Sequence, residues 1–379
     1  MRIAFDIRRL YDFGVATYIR NVLRALGRLD HKNEYFLLGT PERYHEIGAL
    51  PSNFHLVRFP EAEATLSTFL KFRAVVKRFH CDLVHIPHTF WRPLPVGVPY
   101  VMTVHDLLDY LYRTSAQGSF MRALHFYMTN RAMHHAARIF AVSAFTKQDI
   151  TRYFHMRPEK IEVVYNALDE RLSLGPTGPA ERAMLLERFQ VNFPFVLYAG
   201  RISPHKNVVR IIEAFSALKV QLAKEGVLPD LKLIIVGDEV SRHPDIRRAV
   251  IKAGVQPDVR FFGFVPIEVL RAFLDVAKVF IFPSLYEGFG LPPLEAMAHG
   301  TPVVTSNCSS LPEVVGNAAM LVNPENVFEI SRALHMVLTD QELRERMKTA
   351  GRERAKHFSW DVSAKKMLAV YEEVAAGRR

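Results

Sequence analysis

Cysteine is scarce: Cys81 and Cys308 stand far apart in 379 residues, without the spacing of metal ligands. That excludes a disulfide framework and gives no sign of a zinc site, and it fits a reducing compartment, so a cytoplasmic protein is expected. Long apolar runs are also missing. No window offers the roughly 20 apolar residues that a spanning helix needs, and MRIAFDIRRL at the start is a short strand-like run broken by charge. Any membrane association is therefore expected to be peripheral, at the inner face. Blocks of like charge are lacking as well. The formal charge of +10 favours anionic partners, but the lysines and arginines are scattered and match no zinc-finger or RNP-like signature, so nucleic acid is not an expected partner.

What is present is alternation. IAFDI, YFLLG, FHLVRF, DLVHI, YVMTVHD, RIFAVS and IEVVY are strand-like runs, with helical patterns near 15–28, 65–80 and 118–137 between them. Such alternation predicts a parallel sheet covered on both faces. From about 170 to 192, RLSLGPTGPAERAMLLERFQ breaks the pattern and reads as a linker. A second alternation follows, with strands FVLYAG, LKLIIVGD, VRFFGFV, KVFIFPS and PVVTS. The expected fold class is α/β, with two Rossmann-like doubly wound domains, 1–170 and 171–360, facing across a cleft. The amphipathic helix within 361–379 is expected to pack back on the first domain.

The stretch EGFGLPPLE, residues 287–295, lies between the strand KVFIFPS and the helix PLEAMAHG. It is thus a loop at the carboxyl edge of a parallel sheet, where ligands bind in such folds. Gly288 and Gly290 permit close backbone approach, and Pro292 and Pro293 suit a helix start. Glu295, expected in the first helical turn, can accept hydrogen bonds from a vicinal diol, and Glu287 can hold sugar hydroxyls. Taken singly, either carboxylate also fits a solvated residue complementing the helix dipole. A second loop at the same edge, GRISPHKN after FVLYAG, carries Arg201 and Lys206, two cations near a helix N-terminus that suit a diphosphate. A solvated surface pair is the plainer alternative.

These residues, with Gly263-Phe264-Val265, PSLYEGFGLPPLEAMAHGTPVV and SSLPEVVG, resemble the retaining family-4 glycosyltransferases of the GT-B fold over nearly the whole chain. The resemblance implies a hexosyltransferase drawing on a nucleoside-diphosphate sugar, with mannose the preferred sugar and a glycan or lipid-linked acceptor in surface polysaccharide or glycolipid synthesis. It makes Arg201 and Lys206 the holders of the diphosphate, Glu295 the ribose ligand and Glu287 a contact to sugar hydroxyls. The backbone of Gly288, Phe289, Gly290 and Leu291 meets sugar and phosphate, and that of Phe264 and Val265 meets the base. In the first domain, His105 matches the family's active-site histidine, and Gly14 the loop facing diphosphate and acceptor. Where many members have a glycine pair, this chain has DFGVATY, with Gly14 alone.

Beside His105, Asp106 has three open roles: orienting the histidine, capping the next segment, or touching the acceptor. Ser143 reads as a helix N-cap, and Asn166 as part of the hinge. No Asp-x-Asp motif is present, so neither a metal nor a cofactor is expected beyond the donor itself. The segment STFLKFRAVVKRFH, with Lys71, Arg73, Lys77 and Arg78, reads first as a core-packed helix with a solvated basic face, and second as a contact to an anionic membrane. Two other readings are kept: an epimerase or phosphorylase on the same fold, and a nucleotide-sugar or glycan binding module without turnover.

Overall fold

The computed structural model describes residues 1–60, 66–89, 97–111, 119–172, 177–237 and 240–377. The chain forms two compact units, one of Met1–Asn166 with Ser359–Arg379 and the other of Ala167–Phe358. The division thus falls at 166/167, ahead of the 170/171 expected. The terminal segment returns to the first unit from Ser359.

In the first unit, β1 (Arg2–Asp6), β2 (Glu34–Gly39), β3 (Phe54–Arg58), β4 (Leu83–Ile86), β5 (Tyr100–Val104), β6 (Arg138–Ala141) and β7 (Ile161–Val163) form one parallel sheet in the order β3-β2-β1-β4-β5-β6-β7. The central strands are wholly buried: all five residues of β5 and all four of β4. Helices on both faces leave no wet side, which is why these strands read as continuous apolar runs without alternation. On one face, Phe72 and Val76 of the helix Leu66–Arg78 and Met133 of the helix Ser119–His135 join a single core cluster with Val84, Met102 and Ile139.

The helix Phe13–Leu29 packs against the chain's last helix, Trp360–Ala376. Buried polar contacts fix that last helix: Tyr371 Oη lies 2.5 Å from His85 Nδ1, His85 Nε2 lies 2.9 Å from Thr103 Oγ1, and Thr103 Oγ1 lies 2.8 Å from Tyr18 Oη. Ser363 Oγ adds a hydrogen bond to the Tyr165 carbonyl.

In the second unit, β8 (Phe195–Ala199), β9 (Lys232–Val236), β10 (Val259–Phe262), β11 (Val279–Phe282), β12 (Val303–Ser306) and β13 (Met320–Val322) form a parallel sheet in the order β10-β9-β8-β11-β12-β13. Both orders reverse direction at a central pair, β1/β4 and β8/β11. At such a switch the following loops turn to opposite faces and leave a crevice at the carboxyl ends of the strands.

The stretch expected as a linker is only partly so. Residues 173–176 lie outside the described residues, but Pro179–Arg188 is a helix packed on the helix Ile267–Val276. Its proline sits in the first turn, where no amide donor is needed, and Leu185 is its buried residue, so little apolar periodicity marks it in the sequence.

Candidate functional site

The second unit's switch point brings together the two loops singled out in the sequence. The loop after β8 carries Arg201 and Lys206; the loop after β11 carries Glu287. Lys206 Nζ stands 2.5 Å from Glu287 Oε1, with both side chains largely buried, and 4.9 Å above the Phe282 ring. Arg201 is exposed, and among the described residues its guanidinium makes no ion pair.

Backbone bonds weld the loops. Leu285 N donates to the His205 carbonyl at 2.7 Å, and Ser284 Oγ to the same oxygen at 3.0 Å. Asn207, buried and left-handed at φ 64°, donates through Nδ2 to the Pro283 and Pro324 carbonyls. It thereby fixes the start of the helix Val208–Glu225. Burial, aided by the neighbouring Lys206, pulls His205 down to about 4, so it is neutral at physiological pH.

The EGFGLPPLE loop is shaped from beneath by the SSLPEVVG turn. Glu287 N donates to Ser309 Oγ (3.1 Å), while Ser310 Oγ–H reaches the carbonyls of Phe289 (2.7 Å) and Glu287 (2.9 Å). Phe289 turns its ring into the unit, edge-on to Phe358 at 5.4 Å, and Gly288 is buried. Gly290, at φ 113°, caps the helix Leu291–Ala298, and a β-carbon there would lie 2.7 Å from Leu311 Cδ2. No other residue type meets both conditions without strain.

Glu295 is the fifth residue of that helix, so it stands beyond the first turn and not within it, as the sequence had suggested. It is half-buried, and burial pushes its carboxyl up to about 7. The Asp169 carboxylate raises it further and Arg171 opposes the shift. Asp169 is itself buried and bound to Arg171, Oδ2 to Nη2 at 2.7 Å. Neither residue was singled out from the sequence, where Asp169 just precedes the apparent linker and Arg171 opens it.

Nor was Gly237. A β-carbon at Gly237 would fall 2.2 Å from the Gly200 carbonyl oxygen, so β8 and β9 end in touching backbones. Gly200 N donates to the Val236 carbonyl, and Gly237 N to that of Phe262. Beyond β10, Phe264 is 59% exposed and Val265 half-buried.

In the first unit, His105 follows β5 at the carboxyl edge. Its Nε2 lies 2.8 Å from the Pro87 carbonyl, which can only accept, so Nε2 carries the proton and Nδ1 is left as an acceptor. Burial pulls its pKa down to about 4, and the Tyr18 ring stands edge-on at 4.9 Å. Asp106 caps: its Oδ1 accepts from Leu108 N at 2.9 Å. Ser143 Oγ likewise accepts from Thr146 N, capping the helix Ala144–Phe154. Gly14 lies in the first turn of the helix Phe13–Leu29 and not in a loop; it is exposed, with nothing within 4 Å of a β-carbon. At the β1 edge, Arg8 binds Asp6 through Nε (2.9 Å) and Nη2 (2.6 Å), a buried pair that the sequence reading passed over.

The family model described as Glycosyl transferases group 1 matches residues 187–354, and the one described as Glycosyltransferase Family 4 matches residues 14–172. O-antigen chain mannosyltransferase B of Escherichia coli is 30% identical over 300 residues, covering 78% of this chain and 74% of that protein. MMP alpha-(1->4)-mannosyltransferase of Mycolicibacterium hassiacum is 30% identical over 410 residues, covering 96% and 95%. Among solved structures, sucrose-phosphate synthase from Thermosynechococcus elongatus shares the fold at a TM-score of 0.77, with 20% identity and 100% of both chains covered.

Proposed function

Because this chain belongs to the group 1 glycosyl transferases and has the GT-B fold, we propose that it is a retaining hexosyltransferase using a nucleoside-diphosphate sugar, with mannose as the sugar. The acceptor in this reading is a glycan or lipid-linked saccharide of a surface polysaccharide. Both relatives described above are named as mannosyltransferases, which supports the choice of sugar.

The observation that carries the reading is the pairing of Lys206 with Glu287 beside the exposed Arg201, at the switch point of a parallel sheet. A diphosphate placed there meets Arg201 directly and competes with Glu287 for Lys206. As the bond from the anomeric carbon to phosphate breaks, charge grows on the leaving diphosphate, and fixed cations stabilise it most at that moment. Glu287, released from Lys206, is then placed to accept from hydroxyls of the sugar.

Glu295 serves as the ligand of the ribose diol, and the backbone at Phe264 and Val265 meets the base. In the first unit, neutral His105, whose Nδ1 is left as an acceptor, is the residue proposed for a contact to a sugar hydroxyl. Retention follows if the acceptor oxygen attacks from the face that the diphosphate leaves: one C–O bond forms, one breaks, and a phosphate oxygen takes the acceptor proton. The chain's own cations perform the charge stabilisation in this scheme, so a divalent ion is not required.

The test is a panel of GDP-, UDP-, ADP- and dTDP-sugars, with and without chelator, read by thermal shift and donor hydrolysis, followed by NMR of the anomeric configuration of the product. Stabilisation and slow hydrolysis with one donor, unaffected by chelator, is the expected result. Binding without hydrolysis or transfer, for every acceptor tried, would favour the binding-module reading.

A further inference from the structure

Ser309 holds a left-handed backbone, φ 56°, in a region that residues other than glycine, asparagine and aspartate seldom occupy. Glycine would adopt it without strain. A serine kept at such a position points to work done by its side chain. Here that work is visible: the half-buried side chain turns Oγ toward the Glu287 amide, which donates to it at 3.1 Å. The residue so held is the one whose carboxylate pairs with Lys206.

The neighbours of Ser309 hold the rest of the loop in the same order. Cys308 Sγ lies 3.5 Å from the Leu285 carbonyl, Ser310 Oγ–H reaches the carbonyls of Glu287 and Phe289, and Leu311 Cδ2 fills the space that a β-carbon at Gly290 would need. Consecutive side chains of one turn thus grip the loop from Leu285 to Gly290. The same loop locates the cation, because Leu285 N and Ser284 Oγ both donate to the His205 carbonyl, one residue before Lys206. Both partners of the ion pair are therefore placed against the 308–311 turn. Ser309 and Ser310 hold Glu287 itself, one at its amide and the other at its carbonyl, and of these two only Ser309 has a positive φ.

We infer that Ser309 is a positioning residue for Glu287: its hydroxyl oxygen fixes where the carboxylate meets Lys206 and, on the function proposed above, where it meets the hydroxyls of the transferred sugar. The second half of the inference rests on that function; the first half does not. Without the hydroxyl, the Glu287 amide loses its acceptor and the loop gains other conformations, so the carboxylate spends less time against Lys206. A diphosphate then has less to displace at Lys206, while a sugar meets a poorly placed Glu287. Nucleotide binding and sugar transfer should therefore move in opposite directions, which a general loss of structure would not produce.

The experiment compares Ser309→Gly and Ser309→Ala with the wild type in the full chain. Glycine relieves the left-handed backbone and alanine keeps its strain, while both remove the acceptor, so the two should differ in stability and agree in function. The coupling between Lys206 and Glu287 is measured by denaturant unfolding of Lys206→Ala, Glu287→Ala and the double variant, in the wild-type background and in each Ser309 background. It should fall by at least about half in both variants, whereas a serine that only supports the fold would lower all four stabilities alike and leave the coupling intact. This arm needs no donor, so refusal of every nucleotide sugar would count against the proposed function and not against the positioning of Glu287. In the second arm, GDP binding by calorimetry should tighten about threefold while turnover of GDP-mannose falls about tenfold. Unchanged coupling in both backgrounds, wild-type behaviour of Ser309→Gly, or nucleotide binding and turnover falling together would overturn the inference.

Discussion

Lys206 Nζ and Glu287 Oε1 meet at 2.5 Å although 81 residues separate them, because the loops that carry them leave adjacent strands at the reversal of strand order. The pair is mostly withdrawn from water, so each charge depends on the other. Lys206→Ala therefore leaves a largely buried carboxylate unpaired and should cost roughly 1–3 kcal/mol of stability. Adding Glu287→Ala should recover much of that loss. Denaturant unfolding of the single and double variants measures the coupling, and strictly additive losses would show that the contact contributes nothing.

Arg201 separates charge stabilisation from folding. Its exposed side chain makes no ion pair among the described residues, so Arg201→Ala should unfold at the wild-type midpoint within about 0.5 kcal/mol. Transfer should nonetheless fall by about 100-fold or more, the scale set by removing one fixed donor from a developing anion. Turnover at saturating donor is the quantity to compare; full activity would remove Arg201 from the diphosphate scheme.

In the proposed reading, Glu295 links donor binding to pH. Its folded carboxyl is held at about 7, above the ordinary 4.5, chiefly by burial. Between those values the unfolded chain has lost a proton that the folded chain keeps, so this group lowers stability as pH rises from 4.5 to about 7 and has no further effect above. Glu295→Gln should consequently raise the melting temperature at pH 8 but not at pH 4. Wild-type donor affinity should strengthen as pH rises through about 7, where the carboxylate becomes a full acceptor. The glutamine variant should bind more weakly and lose that pH step, as read by calorimetric titration across the range.

Gly237 carries a steric prediction. With a β-carbon 2.2 Å from the Gly200 oxygen, alanine forces the ends of β8 and β9 apart. A loss of about 2–4 kcal/mol is expected, together with weakened donor binding because the Arg201 loop begins at Gly200. Chemical denaturation combined with donor titration tests both parts.

Tyr371→Phe removes the hydroxyl that meets His85, a neutral histidine whose pKa burial pulls down to about 3. Stranding that buried nitrogen should cost about 1–3 kcal/mol while leaving donor affinity unchanged, since both residues belong to the first unit. Unfolding followed by probes placed separately in each unit would localise the loss.

Much of this structure can be read from local patterns. Runs such as FVLYA and VFIF announce fully buried parallel strands, and the glycines and prolines of EGFGLPPLE announce a loop entering a helix, so the loops at the second sheet's switch point are legible in the sequence. What escaped has a common cause. The helix Pro179–Arg188 buries so little that it carries no clear period, and β13 is three residues long. Asp169 next to Glu295, and Tyr371 against His85, are contacts made only by tertiary folding, across more than 100 residues. The turn position of Glu295 depended on where Gly290 begins the helix, a boundary that sequence spacing alone fixes poorly.

The chain leaves the first unit at Asn166 and re-enters it at Ser359, so the second unit is in effect inserted into the first. During synthesis from the N-terminus, the second unit has all its residues before the first has its last helix. The His85 and Tyr18 network must wait for Tyr371 to emerge. Folding order should therefore run opposite to chain order: the unit that is begun first is completed last, and a ribosome stalled shortly after Phe358 would hold a finished second unit joined to an unfinished first one.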